Sequence, residues 1–454
     1  MSDLRRLLDE GKPIFGTDGV RGAAGSDLTP ELALAIGRAA GSYLRGGPVL
    51  IGRDTRRSGA MLSSALQAGF NAVGIDTVDV GVLPSGGISH LTATSGATMG
   101  AVVSASHNPA DDNGIKFLAG RGTKLADEVE REIEDRLRST GSKTAIGPSI
   151  GTRFLKSDAL EVYVDHLVEA SKYNLSGIEI AGDCAHGAAY QAAPMLFERL
   201  QADAKWFGVE PDGTNINAGC GATHPEYLAG LAEGKVGFAF DGDADRLIAL
   251  DEDGRVANGD VIMAIIARHL KAQGKLRKNL VVATVMSNLG FRKSMAEAEI
   301  ELVETRVGDR YVMEKLLARK ALLGGEQSGH IIFLDQGQTG DGLLTAVKIL
   351  DVMAGTGKEM RELRAEAITE YPQVLQNVEV GRQIDLTEAG ELWEAVSEVE
   401  EELGEEGRVL VRPSGTEPVV RIMVEAPTED DARRYADHLA TVTRASLERM
   451  IDRK

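Results

Sequence analysis

The chain has 454 residues, 43% of them hydrophobic and 26% charged; this is too long for one ordinary core and predicts three or four domains of roughly 100 to 150 residues. A formal charge of -19 argues against a nucleic-acid reader, which needs clustered Lys and Arg, and means that any anionic ligand must be drawn in by a local basic pocket. Two cysteines, Cys184 and Cys220, have neither a metal-type spacing nor the number for a disulfide framework, so a reducing, cytoplasmic compartment is expected.

In chain order, the opening MSDLRRLLDEGKPIFG scatters its charges and has no continuous apolar run, so it does not read as a signal peptide. FGTDGVRG (Phe15 to Gly22) is a glycine-containing turn whose backbone N–H groups and Arg21 suit an anion. Thr29 is placed to cap a helix with Pro30 in its first position and Leu32, Ala35, Ile36 and Ala39 on one face. VLIGRD (Val49 to Asp54) follows as a buried strand. Strand-like runs alternate with helix-period segments through most of the remainder, the pattern of an α/β fold. The uncharged stretch from Val80 to Asn108 is too rich in Ser, Thr and Gly to span a bilayer.

VVSASHNPADDNGIK (Val102 to Lys116) runs from an apolar strand into a turn with Asn-Pro and Asn-Gly, which predicts an exposed loop bearing Ser104, Ser106 and His107. A serine there is a candidate nucleophile that His107 or Lys116 would assist by proton transfer or charge; turn and cap chemistry alone would use the same residues. TGSKTAIGPSIGT (Thr140 to Thr152) reads as a linker. With further strand-opened units near Ile178 and Leu280 and a restricted Tyr371-Pro372 step, the expected domains are 1–150, 151–252, 253–368 and 369–454.

FAFDGDADR (Phe238 to Arg246) alternates Asp241, Asp243 and Asp245 with Gly242 and Ala244, so three carboxylates can converge on a hard divalent cation such as Mg²⁺. These aspartates and Glu252 also match ligand positions of a calcium loop, but Arg246 replaces the required glycine and LIAL reads as a strand. GGEQSGH (Gly324 to His330) lies between apolar runs and presents Glu326 and Ser328 to a polyol, with His330 as a proton shuttle, phosphate contact or structural histidine. His90, His166, His186 and His224 read as structural. RVLV and VVRIMVE are strands joined by RPSGTEP, where Arg412, Ser414, Gly415, Thr416 and Arg421 suit a phosphate. A helix opened by Thr428 and Asp431 completes a small α+β unit.

Taken together, FGTDGVRG, SASHNP, DGDADR, GEQSGH and RPSGTEP, in this order from residue 15 to 418, resemble the α-D-phosphohexomutase family over nearly the whole chain. The resemblance implies four domains around a central cleft, three of them similar mixed α/β sandwich domains and the fourth a smaller C-terminal α+β domain. It implies that Ser106 is phosphorylated and that Asp241, Asp243 and Asp245, together with phospho-Ser106, hold Mg²⁺. Arg21, Lys116 and Arg246 would be the cationic and acid/base residues around the transferring phosphoryl, Glu326 and Ser328 would read the sugar, and His330 would be a neighbouring catalytic-site residue. Arg412, Ser414, Gly415, Thr416 and Arg421 would clasp the phosphate that does not react.

Gln327, VGDRYV (Val307 to Val312) and YPQVLQNV (Tyr371 to Val378) are similar to the branch of that family acting on glucosamine phosphates. The implied reaction interconverts glucosamine 6-phosphate and glucosamine 1-phosphate through a sugar bisphosphate. Ala244 departs from the glycine commoner in the family, and the loop at Asp111-Asp112 is unusually acidic. Rival readings are a phosphomannomutase or phosphoglucomutase with the same motifs, a metal-dependent sugar phosphatase, and a sugar-phosphate sensor without turnover. The expected partner is a small phosphosugar, not nucleic acid or a membrane; a homodimer is implied by the resemblance alone.

Overall fold

Thr29 opens its helix as the sequence requires. In the computed structural model its Oγ1 accepts from the Leu32 N–H at 3.2 Å, and Pro30 occupies the first turn of the helix Pro30–Tyr43. The structure describes residues 13–16, 18–139, 144–380, 386–413 and 419–452, so Thr17, Ser414, Gly415 and Thr416 lie outside it. This helix buries Leu32, Ala33, Ile36 and Ala39 and packs on the helix Gly59–Asn71 through two glycines. A methyl on Gly37 would meet the Leu66 carbonyl oxygen at 2.3 Å, and one on Gly69 would meet that of Leu34 at 2.3 Å.

The chain forms two compact units, Met1–Met286 with Glu299–Ala367, and Ser287–Ala298 with Ile368–Lys454. The larger unit holds three sheets with a shared four-strand plan. In the first, Asp112–Ala119 runs antiparallel to Met99–Val103, which is parallel to Val49–Arg53, itself parallel to Thr77–Val82. In the second, Leu247–Leu250, Val236–Phe240, Glu179–Asp183 and Asp203–Phe207 repeat that order and those directions. In the third the same places are taken by Ile331–Phe333, Leu323–Gly325, Leu280–Thr284 and Glu301–Thr305. The parallel strands read as apolar runs because both faces are covered.

One consequence positions the chemistry. In each plan the third and fourth strands form a hairpin whose connection leaves the sheet at the C-terminal end of the parallel strands, where α/β sheets commonly bind ligands. Those connections are residues 104–111, 241–246 and 326–330. The first sheet is extended by Val20–Ala23, antiparallel to Asp112–Ala119, which sets Arg21 opposite Gly114 and close to Lys116. Lys116 is thus a strand residue opposite Val102, not part of the loop. Phe15 is held against the ring of Phe117, centroids 6.3 Å apart, which anchors the start of the Arg21 segment in the core.

The smaller unit is an antiparallel sheet of Gln373–Glu379, Val419–Glu425 and Arg408–Pro413, covered by the helices Gly390–Leu403 and Glu429–Asp452, the α+β unit expected. Glu425 is fully buried and accepts from the backbone N–H of Leu289 at 3.0 Å, Gln373 Nε2 at 2.8 Å and Arg408 Nε at 3.0 Å. It thereby ties the helix Leu289–Glu297 to this sheet. No described helix is long and apolar enough to cross a membrane.

The glycine crossing gives a first expected outcome. Gly37→Ala raises helix propensity yet drives a methyl into backbone that cannot swing away, so the net effect is a loss of about 1 to 3 kcal/mol. Urea unfolding checks it; unchanged or raised stability would show that the two helices part without cost.

Candidate active site

Ser106 sits on the first hairpin connection with φ at 51°, a left-handed conformation that a non-glycine residue holds only when its surroundings impose it. The imposing groups are identifiable. Arg56, 1% exposed, donates to the carbonyl oxygens of Ser106 at 2.9 Å, Asn108 at 2.8 Å and Asp112 at 3.0 Å, and also to that of Pro109. Asp54 orients the guanidinium by accepting from Arg56 Nε at 2.8 Å and accepts from Ser104 Oγ at 2.6 Å. Ser104 Oγ in turn accepts from the Ser106 N–H at 2.9 Å. Asn217 reaches over from the second sheet's domain and donates to the carbonyls of Ser106 and Asn108. The loop expected to be exposed is therefore buried at its key residues, with Ser104 at 0% and Ser106 at 2% exposure, because partners distant in sequence close over it.

The second hairpin connection supplies the carboxylates. Ser106 Oγ donates to Asp241 Oδ2 at 2.5 Å, and His107 Nδ1 lies 3.4 Å from the same hydroxyl. Gly242 makes the approach sterically possible, since a methyl there would meet the Ser106 carbonyl oxygen at 2.5 Å. Ala244 takes a left-handed φ of 57°, the position where glycine would carry no strain. Asp243 Oδ2 accepts from Ser85 Oγ at 2.7 Å and from Lys116 Nζ at 3.2 Å, while Lys116 also lies 3.3 Å from Asp18 and 3.7 Å from Asp245. The calcium-loop alternative ends here: Leu247–Leu250 is a strand, and Glu252 instead accepts from the N–H groups of Met360 and Arg361 at 2.9 Å each.

Ligand atoms of Asp241, Asp243 and Asp245 lie within 4.8 Å of one another, the one such cluster among the described residues. Burial, with Asp245 and Asp243 beside it, holds the Asp241 carboxyl well above the usual carboxylate range. Burial and Asp243 also raise Asp245. Burial would raise Asp243 as well, but Lys116 and the Ser85 hydrogen bond outweigh it and bring that carboxyl down. The Lys116 amine, lowered by burial alone, is carried well above its ordinary value by Asp18, Asp243 and Asp245, so it stays an ammonium. Burial, then Arg246 and Arg21, take the His107 imidazole down to about 4, leaving it neutral near pH 7. Asp243 Oδ1 and Asp245 Oδ1 are buried without a hydrogen-bond donor. An all-oxygen donor set, two of its three carboxyls raised and two of its oxygens unfilled, fits a hard divalent cation.

The hydroxyl, Arg21, Arg246, Glu326 and His330 border one cavity of about 280 Å³. Arg246 donates its backbone N–H to Asp241 Oδ1 at 3.2 Å, and its side chain, 3.8 Å from Asp245, is further stabilised as a cation by Asp241 and Glu326. On the third connection Glu326 Oε1 accepts from the Gly308 N–H at 3.0 Å, and Ser328 Oγ is buried without a partner. His330 Nε2 accepts from the Gly340 N–H at 3.2 Å, which makes Nδ1 the protonated nitrogen. That donor is buried and unmatched, while Nε2, on the other side of the ring, lies 3.9 Å from Asp245. In the smaller unit Arg412 and Arg421 are direct register partners on neighbouring strands. Burial and Arg421 bring the Arg412 guanidinium below its ordinary value.

Several residues of this network were not singled out in the sequence. Asp18, inside FGTDGVRG, accepts from Arg21, Lys116 and Lys124, and those three cations outweigh burial to hold it well below the usual range. An acid within an otherwise anion-seeking turn was a usable signal, as was the Asp54/Arg56 alternation after a buried strand. Ser85 and Asn217 carry no local signal. Lys124 joins Asp18 at 3.2 Å to Asp309 at 3.2 Å, and Arg310 next to it pairs with Asp127 and with Glu130 at 3.2 Å.

A repeated hairpin plan with a serine against three aspartates defines the class, and the sequence comparisons agree with it. Residues 12–144, 161–254 and 258–371 match phosphoglucomutase/phosphomannomutase alpha/beta/alpha domains I, II and III, and residues 375–442 match the C-terminal domain of the same family. The chain belongs to the phosphoglucomutase/phosphomannomutase family. It is 48% identical to the phosphoglucosamine mutases of Listeria monocytogenes and Geobacillus thermodenitrificans, in each case across 95% of this chain and 98% of the relative. A solved phosphoglucomutase/phosphomannomutase family protein of Burkholderia thailandensis superposes with a TM-score of 0.80 at 25% identity, covering 96% of this chain and 97% of that one. The Aspergillus fumigatus N-acetylphosphoglucosamine mutase, solved with GlcNAc-6P and magnesium, shares the fold with a TM-score of 0.69 at 18% identity, over 98% and 99% of the two chains.

Glu130 provides a pH test of the network around Asp309. Burial pushes its carboxyl from 4.5 to about 7 against the pull of Lys124. The folded protein then binds the extra proton between these values, so stability falls as pH rises through that window and no further above it. Glu130→Gln is expected to flatten this slope in urea midpoints measured from pH 4.5 to 8. An unchanged slope would remove Glu130 as its source.

Proposed function

We propose that this protein interconverts glucosamine 6-phosphate and glucosamine 1-phosphate, storing a phosphoryl group on Ser106 between turnovers. The observation that carries the reading is the contact of Ser106 Oγ with Asp241 at 2.5 Å inside a cluster of three carboxylates. The choice of amino sugar rests on the 48% identity to phosphoglucosamine mutases over nearly the full chain.

In this reading the phosphoryl passes from Ser106 Oγ to the free hydroxyl of the bound sugar phosphate. The Oγ–P bond breaks as a P–O bond to the sugar forms and the hydroxyl proton ends on Oγ, giving a bisphosphorylated sugar; its other phosphate then returns to Oγ with the proton passing back to the sugar oxygen. Asp241, Asp243 and Asp245, with the phosphoserine oxygens, would hold Mg²⁺, which would neutralise charge on the transferring group. Lys116, fixed as an ammonium by three carboxylates, and the guanidinium groups of Arg21 and Arg246 offer positive charge to the phosphoryl oxygens. Arg56 contributes by holding the loop carbonyls so that Oγ needs no reorganisation to react. Glu326, Ser328 and His330 would read the sugar hydroxyls, the latter two through a buried oxygen and ring nitrogen that lack partners within the protein. Two guanidiniums placed directly opposite repel each other, which supports Arg412 and Arg421, with Ser414, Gly415 and Thr416, as holders of the phosphate that does not react.

Intact-mass and peptide mapping after incubation with glucose 1,6-bisphosphate is expected to find one added phosphoryl, about 80 Da, on Ser106. Ser106→Ala should lose turnover by at least about a thousandfold without unfolding, and EDTA should abolish turnover in a manner reversed by Mg²⁺. Undiminished isomerisation by the alanine variant would sink the reading. Release of free phosphate at the rate of substrate loss would make the protein a phosphatase. Turnover of mannose or glucose 6-phosphate equal to that of glucosamine 6-phosphate would overturn the substrate assignment.

Arg412→Ala removes a charge-assisted hydrogen bond worth about 1.5 to 3 kcal/mol, so kcat/KM should fall about 10- to 100-fold. Steady-state kinetics check this, and an unaltered kcat/KM would exclude the arginine from substrate binding.

A further inference from the structure

A second cavity, of about 300 Å³, lies in the larger unit and shares no lining residue with the one beside Ser106. Its apolar lining includes Ile266, Leu322, Phe333 and Val352. Four cations border it, Lys172, Lys275, Arg277 and Lys348, and among the described residues none of them has a carboxylate within ion-pair distance. In a chain of formal charge -19 such a cluster gives this cavity a local positive potential against the overall field. Asp351 and Asp335 favour the Lys348 ammonium without pairing directly with it. Asp351 accepts from Ser171 Oγ and from the Lys172 backbone N–H, and Asp335 stands at the exposed rim.

Lys348 is 8% exposed, and its ammonium, with three donors, makes one hydrogen bond, to the Ala170 carbonyl at 2.6 Å. Gln336 Oε1 is a buried acceptor without a donor. An apolar lining, unneutralised cations and an unfilled acceptor together describe a ligand with a ring, a dianionic group and a hydroxyl or amine.

The cavity also has a mechanical connection to the catalytic loops. The helix Gly259–Ala272 borders it through its C-terminal turn, while its first residue donates an N–H to the Gln327 carbonyl at 3.0 Å. The helix Gly342–Thr356 borders it through Lys348 and Val352, and the Gly342 N–H donates to the Ala244 carbonyl at 3.0 Å. Leu322 and Phe333 flank the hairpin that carries residues 326–330.

We propose that this cavity is a second ligand site, for a small phosphorylated ring compound, whose occupancy is felt at the 241–246 and 326–330 loops. The site does not depend on which sugar the protein isomerises.

Pyridoxal 5′-phosphate is a suitable probe, applied to the full chain with saturating glucose 1,6-bisphosphate to keep it from the first site. The Lys348 nitrogen attacks the aldehyde carbon and water leaves. Borohydride then delivers hydride to the imine carbon, and the nitrogen takes a proton from solvent to give a stable secondary amine. Burial brings the Lys348 amine down to about 8, with Asp351 and Asp335 opposing and Lys172 assisting, so trapping at this residue should rise through about pH 8. His269 and Lys275 face the same space.

The expected result is saturable incorporation of one equivalent mapped to Lys348 and a change of at least about twofold in kcat/KM for the sugar phosphate. Replacing the exposed pair Lys172→Glu and Arg277→Glu should lower labelling at least about tenfold with unlabelled turnover intact. Scattered labelling without saturation, or saturable labelling indifferent to the charge reversal, would overturn the site. Labelling that leaves kcat and KM untouched would overturn the connection to the loops.

Discussion

Three carboxylates and a hydroxyl forced together out of water form the constraint around which this molecule is arranged. Asp241, Asp243 and Asp245 repel one another more strongly inside the protein than they would at its surface, and burial first, with that repulsion added, raises the Asp241 and Asp245 carboxyls. The surrounding structure partly compensates. Lys116 reaches Asp243, Asp245 and Asp18, Ser85 donates to Asp243, and the Arg246 backbone donates to Asp241. What stays unfilled, Asp243 Oδ1 and Asp245 Oδ1, is the part that a divalent cation would satisfy.

The repeated sheet plan explains how such distant residues meet. One strand order, used three times, sends three hairpin connections out at equivalent ends of their sheets, and each carries one of the motifs that stand out in the sequence. Serine, aspartates and the Glu326 to His330 loop are therefore variations at one structural position. Gly242 and Gly259 are the contact points that let these loops approach: a methyl on the first would collide with the Ser106 carbonyl, and one on the second with that of Glu326.

Much of this was readable from local patterns. The Thr29-Pro30 cap, the apolar strands, the alternating aspartates and the α+β tail all depend on neighbours in sequence, where residue spacing carries the information. The burial of Ser106 was not readable, because it is produced by Asp241 and Asn217 from another domain of the same unit. Asn113-Gly114 suggests a turn, yet pairing with Val20–Ala23 and Met99–Val103 draws that segment, with Lys116, into a strand. Nor does composition reveal that Asp18 gathers Arg21, Lys116 and Lys124, since two of those cations lie far along the chain.

Within the loop Arg56 addresses only main-chain oxygens, those of Ser106, Asn108, Pro109 and Asp112, while Asp54 holds its Nε from the other side. The shape of the loop is accordingly indifferent to most of the side chains it displays. Sequence drift at positions such as Asp111 can alter the polarity of the entrance while the reactive oxygen keeps its bearing. The anchor itself has no such latitude: lysine lacks the forked, planar donor array that grips several carbonyls at once.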